Sequence, residues 1–233
     1  MSEDPIIAIV PAAGIGARAR RSTDADIPKQ YRLLNGQAML RRAVESLLVD
    51  TRISEVRVAV SIGDAWTADA LADVPRTVIR HCGGATRALT VANALADAGV
   101  DPATWVLVHD AARPGLPADA LARLIDACIA TNRCGLLALP VADTVKRSEA
   151  ACAPAVVAQT IARDGLWLAQ TPQMARQHVL LAALERAAQA GLSVTDEAQA
   201  LEYVGQPPLL VRGSVRNFKV TWPEDFELME KWL

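Results

Sequence analysis

An excess of positive charge is missing from this 233-residue chain. Lysine and arginine number 24 against 26 aspartates and glutamates, a net charge of −2. No overall field gathers nucleic acid or anionic lipid, and any phosphate binding must be local. Long apolar runs are absent too, none reaching the roughly 18 residues of a membrane-spanning helix. The opening Met1-Ser2-Glu3-Asp4 is acidic where a secretory signal is basic, and Ile6–Val10 is too short for its apolar core. The expected setting is the cytoplasm, with neither nucleic acid nor membrane as partner.

Paired cysteines are missing as well. Cys82, Cys128, Cys134 and Cys152 form no C-x-x-C pair and have no histidine at metal-ligand spacing, so they read as reduced packing residues. His81, His109 and His178 are scattered, with no serine or cysteine nucleophile placed beside them; only His109 adjoins a candidate site. Aromatics supply just 4% of the chain, and much of its 52% apolar content is alanine, suited to closely packed helices.

What is present is a rhythm. Short β-rich runs at Ile6–Val10, Val56–Val60, Thr77–Ile79, Val106–His109 and Leu136–Val141 alternate with stretches of helical period at Met39–Leu48, Trp66–Ala72, Arg87–Ala98 and Ala118–Thr131. That alternation predicts an α/β fold with a mainly parallel sheet flanked by helices. After Val141 it breaks: Asp143–Arg147 and Val156–Ile161 read as extended pieces around the small residues Ser148–Pro154, a protruding hairpin arm at about 142–170. The pattern then resumes, with helices at Ala175–Ala190 and Asp196–Val204, strands at Leu209–Arg212 and Asn217–Thr221, and a closing helix from Pro223 to Trp232. One domain spanning residues 1–233 is expected, with the arm as its appendage.

Gly14-x-Gly16-x-x-Ala19 follows the first strand and formally fits a dinucleotide fingerprint. The fingerprint also needs a helix beginning among the glycines and an acid about 20 residues on. Instead Arg18, Arg20 and Arg21 lead into the polar stretch Ser22–Asp26 and then Ile27-Pro28-Lys29-Gln30, where the proline interrupts a helix. A returning loop that carries arginine and lysine suits a triphosphate better, because backbone N–H groups and basic side chains can surround the phosphates. No G-x-x-x-x-G-K-[ST] is present. An ordinary glycine turn with a solvated basic stretch remains the plain alternative.

Further candidates lie at other strand ends. Asp110 and Arg113 follow the Val106–His109 strand at the edge where open α/β sheets bind ligands, and Asp110 could hold Mg²⁺ directly or through water; its plain reading is a turn or cap. Gly83-Gly84-Ala85-Thr86-Arg87 enters a helix whose first turn offers N–H donors, with the Thr90 hydroxyl one turn on. Lys219 is a lone charge among apolar residues, and Thr195-Asp196-Glu197 looks first like a helix cap with acids in the first turn.

Taken in order, Pro11-Ala-Ala-Gly-Ile-Gly16, Pro28-Lys-Gln-Tyr31, Val108-His-Asp-Ala-Ala-Arg-Pro114, Asp143-Thr-Val-Lys146, Thr171-Pro-Gln173, Thr195-Asp-Glu-Ala198 and Lys219-Val-Thr-x-Pro-Glu-Asp225 resemble the 2-C-methyl-D-erythritol 4-phosphate cytidylyltransferases of the non-mevalonate isoprenoid pathway. The resemblance spans nearly the whole chain. It implies a Rossmann-like nucleotidyltransferase fold, CTP as substrate with Mg²⁺ or another divalent cation, and a homodimer formed through the arm. It also implies that Arg18 and Lys29 stabilise the transition state, and that Arg163, reaching into the neighbouring subunit, and Lys219 position the methylerythritol phosphate. Ala12, Ala13, Gly14, Gly16, Gly84 and Thr90 fall at nucleotide-contacting places, and Asp110, Arg113, Thr144, Thr171 and Thr195 near the sugar phosphate. The stretch from Arg18 to Lys29 is several residues longer than in many relatives, Ala85 stands where an acid is common, and Trp222 where arginine is.

Such a reaction explains the missing nucleophile pair. A phosphate monoester loses its second proton near pH 6, so its oxygen is already ionised and needs no general base. The rivals are a ribitol 5-phosphate cytidylyltransferase, a nicotinamide-dependent oxidoreductase and a catalytically silent nucleotide-binding module.

Overall fold

A computed structural model describes residues 5–14, 27–149 and 154–233. The chain opens with β1 (Ile6–Pro11), then a 3-10 turn at Lys29–Tyr31, the short strands β2 (Leu33–Leu34) and β3 (Gln37–Ala38), α1 (Met39–Leu48), β4 (Ile53–Ala59), α2 (Thr67–Ala70), β5 (Thr77–Arg80) and α3 (Arg87–Asp97). It continues through β6 (Trp105–Val108), α4 (Ala118–Thr131), β7 (Gly135–Pro140), β8 (Val145–Ser148), β9 (Val157–Ile161) and β10 (Trp167–Arg176). Helices α5 (Gln177–Gln189) and α6 (Glu197–Tyr203), strand β11 (Leu209–Arg212) and helix α7 (Pro223–Trp232) complete it.

Seven strands form one sheet in the order β11-β7-β10-β6-β1-β4-β5. All of its pairings are parallel except those of β10, which runs against both β6 and β7. Both faces are covered, which is why the inner strands read as continuous apolar runs. In β1 the side chains of Ile6, Ala8 and Val10 enter one core with Leu40 and Val44 of α1 and Leu121, Leu124 and Ile125 of α4. Ile7 and Ile9 enter the opposite core with Val91 and Leu95 of α3, Leu180 and Leu184 of α5 and Leu201 of α6. Each such Ile or Leu contributes roughly 1.5–3 kcal/mol when fully buried. The resulting sheet is stiff, and the loops at its carboxyl edge start from fixed points.

Several sequence expectations need correction. Asn217–Thr221 is not a strand: Val215–Asn217 is a 3-10 turn, and the residues after it run extended beside the loop that follows β6, with the Val220 N–H donating to the Ala112 carbonyl at 2.9 Å. The helix expected from Ala175 begins at Gln177, because Ala175 and Arg176 still pair with β6. β10 itself was not anticipated. Its pairing with β7 shifts register between Ala169 and Gln173, and the Thr171–Pro172 peptide within that shift is cis. The shift lets a proline, which has no N–H to donate, occupy a central strand. β8 and β9 pair antiparallel as a separate two-stranded sheet with mostly exposed side chains, where the hairpin was expected. Cys82, Cys128 and Cys134 are free thiols, and burial pushes Cys128 up to about 12; Cys152 lies outside the described residues.

Candidate active site

The carboxyl ends of β1 and β6 are neighbours in the sheet, and a cleft of about 450 Å³ opens above them. One wall is the chain leaving β1. Gln30, 6% exposed, donates from its amide to the carbonyls of Ala12 at 2.8 Å and Gly14 at 3.0 Å, fixing a segment that has no regular structure of its own. The 3-10 turn carrying Lys29 and Gln30 is anchored through Tyr31. Its hydroxyl bonds Asp64 and Thr67, and its ring stacks on Trp66 with centroids 5.7 Å apart.

The facing wall is the loop from β5 into α3. The Gly83 N–H donates to Val60 at 2.9 Å, and a Cβ at Gly83 would stand 2.5 Å from the Ala13 Cβ, so only glycine lets the two loops meet. Thr86 caps α3, accepting from the Leu89 N–H at 3.1 Å. The Thr90 hydroxyl accepts from the Gly84 N–H and donates to the Thr86 carbonyl, both at 3.0 Å, and so closes the loop.

Charge is concentrated on the floor. Asp110, only 7% exposed, has Arg87 Nε 2.9 Å from Oδ1, Lys219 Nζ 2.9 Å from Oδ2 and Arg113 Nε at 3.5 Å from Oδ2. Burial alone would raise the Asp110 pKa, but the charges of Arg87, Lys219 and Arg113 outweigh it and hold the carboxyl well below the usual carboxylate range. Arg113 is held further by the Asn217 carbonyl at 2.8 Å.

His109 lies beneath as a structural relay. Fully buried, it is pushed down to about 4 by burial, against the smaller opposing pull of Asp110. The neutral ring has one N–H. Nε2 faces the Arg113 carbonyl at 3.0 Å and must donate to it, so Nδ1 accepts from the Thr171 hydroxyl at 3.0 Å. That hydroxyl in turn accepts from the Asp110 N–H at 2.9 Å.

Two lysines complete the cleft. Lys29 Nζ donates to the Val220 carbonyl at 2.6 Å, which ties the first loop to the residue beside Lys219. Of the residues singled out from sequence, Ala12, Ala13, Gly14, Lys29, Gly84, Thr90, Asp110 and Lys219 line this one space. Arg113 and Thr171 are packed directly behind Asp110. Thr144, Arg163 and Thr195 are exposed and do not line it. Arg163 donates to the Ala142 carbonyl, bracing the base of the β8–β9 hairpin, and Thr195 bonds the Gln199 side chain. Gly16 and Arg18, with Arg20 and Arg21, lie outside the described residues.

Sequence reading passed over Arg87 and Glu197. In sequence Arg87 is only the residue at which the glycine turn enters α3, yet it grips Glu197 with both terminal nitrogens, at 2.7 and 3.0 Å. Asp196 already caps α6, accepting from the Gln199 N–H at 3.0 Å, so the glutamate next to it was redundant as a cap. That redundancy was the available signal. As for a metal, among the described residues Asp110 is the one carboxylate that lines the cleft, and no group of three or more His, Cys, Asp or Glu among them is placed to hold an ion. A divalent cation here would take most of its ligands from substrate phosphates and water, the usual habit of magnesium.

Known proteins resemble this chain in sequence and fold. A family model described as IspD: 2-C-methyl-D-erythritol 4-phosphate cytidylyltransferase matches residues 6–233. A protein of that name from Bordetella parapertussis is 65% identical over 233 residues, covering 100% of both chains. Another from Vibrio parahaemolyticus is 45% identical over 228 residues, 97% of this chain and 94% of the other. Among solved structures, a 4-diphosphocytidyl-2C-methyl-D-erythritol synthase superimposes with a TM-score of 0.83 at 36% identity, covering 98% of each chain. The Francisella tularensis 2-C-methyl-D-erythritol 4-phosphate cytidylyltransferase does so with 0.81 at 34%, over 98% of this chain and 100% of that one. With a family model matched over residues 6–233, a relative 65% identical across the whole chain and a solved structure superimposing over 98% of it, the chain belongs to the 2-C-methyl-D-erythritol 4-phosphate cytidylyltransferase family.

Proposed function

We propose that this chain transfers CMP from CTP to 2-C-methyl-D-erythritol 4-phosphate, giving 4-diphosphocytidyl-2-C-methyl-D-erythritol and pyrophosphate for isoprenoid precursor synthesis in the cytoplasm. The observation that carries the reading is the meeting of two ammonium groups, Lys29 and Lys219, in one cleft between two backbone loops. A monoester oxygen of the sugar phosphate attacks the α-phosphorus of CTP, and the bond from that phosphorus to the bridging oxygen of the β-phosphate breaks. The nucleophile is ionised at neutral pH, so the burden on the protein is to hold two anions together and stabilise charge on the α-phosphate and leaving group.

Ala12, Ala13, Gly14, Gly16, Gly84 and Thr90 take the nucleoside in this reading. Lys29 and Arg18 stabilise the transition state, and Lys219 and Arg163 position the sugar phosphate beside Asp110, Arg113, Thr144, Thr171 and Thr195. Mg²⁺ or another divalent cation, when bound, neutralises phosphate charge, with Asp110 contributing directly or through water. The chain works as one domain with an arm at about 142–170, through which a homodimer forms and brings Arg163 to the neighbouring site. Support for the arm as an interface comes from the exposed apolar side chains of Val156, Val157, Leu166 and Leu168 on and beside the hairpin. The test is pyrophosphate release with each nucleoside triphosphate against methylerythritol phosphate and ribitol phosphate. Release with CTP and methylerythritol phosphate alone is expected; preference for ribitol phosphate overturns the substrate assignment.

A further inference from the structure

Glu197 is 1% exposed and both of its oxygens are taken by Arg87 in a bidentate pair. As a device for stability such a pair is weak, since desolvating two charges offsets most of their attraction. Nor does α6 need it. Asp196 caps the helix, and the Ala198 N–H is satisfied by Gln173 Oε1 at 2.7 Å. What the pair does is fix the Arg87 guanidinium in one plane, with its remaining edge, Nε, on Asp110 Oδ1 at 2.9 Å. Lys219 sits on the other oxygen, Oδ2. Glu197, Arg87, Asp110 and Lys219 thus form a chain of alternating charge, from a side chain 1% exposed to one 39% exposed at the cleft.

For Lys219 to meet an incoming phosphate dianion, its ammonium has to exchange Asp110 for the ligand. Asp110 can release it only if other cations stay in place. Arg87 is the nearer of the two that do, at 2.9 Å against 3.5 Å for Arg113. We propose that Glu197 is a positioning residue for the sugar phosphate: by clamping Arg87 on Asp110 it leaves Lys219 free to exchange Asp110 for the anionic oxygens of that substrate. This rests on the cytidylyl-transfer reading and on the place of Lys219 in it. Glu197 itself does not line the cleft, so its influence travels through Arg87.

The test is a double-mutant cycle in steady-state kinetics. Glu197→Gln keeps the shape and removes the charge. Its KM for methylerythritol phosphate is expected to rise about tenfold, the low end of what losing an outer orienting partner costs. The KM for CTP stays within about twofold, and in an Asp110→Asn background the same substitution changes either KM by no more than about twofold, since the group it acts through is gone. An equal rise for both substrates, an equal rise in both backgrounds, or no rise at all overturns the proposal. If Glu197→Gln does not accumulate as folded protein, Glu197→Asp, which draws the charge back from Arg87, must show the same split between substrates. A wild-type enzyme inactive with CTP and methylerythritol phosphate would instead overturn the functional reading, so the two failures are told apart.

Discussion

The ammonium of Lys29 donates to the carbonyl of Val220, 191 positions further along the chain. Because Val220 adjoins Lys219, and its N–H is bound to Ala112 in the Asp110–Arg113 loop, the two lysines occupy correlated positions on one framework. A separation of duties between them is the first thing to test.

Lys29→Ala is expected to lower kcat by roughly 10²–10³, about 3–4 kcal/mol of transition-state stabilisation, the cost of losing one preorganised donor. Lys219→Ala raises the KM for the sugar phosphate as well as slowing turnover, since it removes a group that orients the nucleophile. Initial rates with each substrate varied in turn separate the two patterns. A near-normal kcat for Lys29→Ala would contradict its assignment.

Gly83→Ala forces a Cβ to within 2.5 Å of the Ala13 Cβ and 2.8 Å of the Val60 carbonyl oxygen. Two backbone segments must part, at a cost of roughly 1–3 kcal/mol in stability. The predicted kinetic signature is a raised KM for CTP with a smaller change for the sugar phosphate. Thermal unfolding and substrate titrations measure both.

His109 has a folded pKa near 4, below the ~6.5 of an unperturbed histidine. The unfolded chain therefore binds the extra proton first, and the stability His109 contributes is complete above pH 6.5 and lost as pH falls toward 4. Between pH 7 and pH 5 the wild type should lose about 2 kcal/mol from this group, over and above changes elsewhere. In His109→Gln that part of the pH dependence should vanish. Urea unfolding at the two pH values checks it, and equal slopes for both proteins would show the histidine to be silent.

Arg163 is exposed and absent from the lining of the cleft in its own chain. If it serves the neighbouring subunit, Arg163→Ala and Lys29→Ala proteins, each with little activity alone, should recover part of it when mixed, because a hybrid dimer holds one intact site. Lack of recovery after verified subunit exchange would count against action in trans.

Much of this architecture is legible where local rules suffice. Met39–Leu48, Ala118–Thr131 and Pro223–Trp232 carry helical period between clear punctuation and form helices with those bounds. β1 and β6 are apolar on both faces because both faces are covered. Trp167–Arg176 escaped because its glutamines and Pro172 spoil the strand pattern, and only a register shift beside β7 makes room for them. Lys219 reads from sequence only as a lone charge among apolar residues, since alternation says nothing of Asp110 opposite it. The Arg87–Glu197 pair spans 110 positions, and no periodicity or spacing reports a contact of that kind.

The most direct test of the account is to identify the product by phosphorus NMR after incubating the protein with CTP, methylerythritol phosphate and Mg²⁺. Two mutually coupled diphosphate resonances, appearing together with free pyrophosphate, are predicted: the new P–O–P bond joins the cytidylyl and sugar phosphates. Loss of CTP to CMP or CDP with the sugar phosphate left unchanged, or no consumption of either, would contradict it.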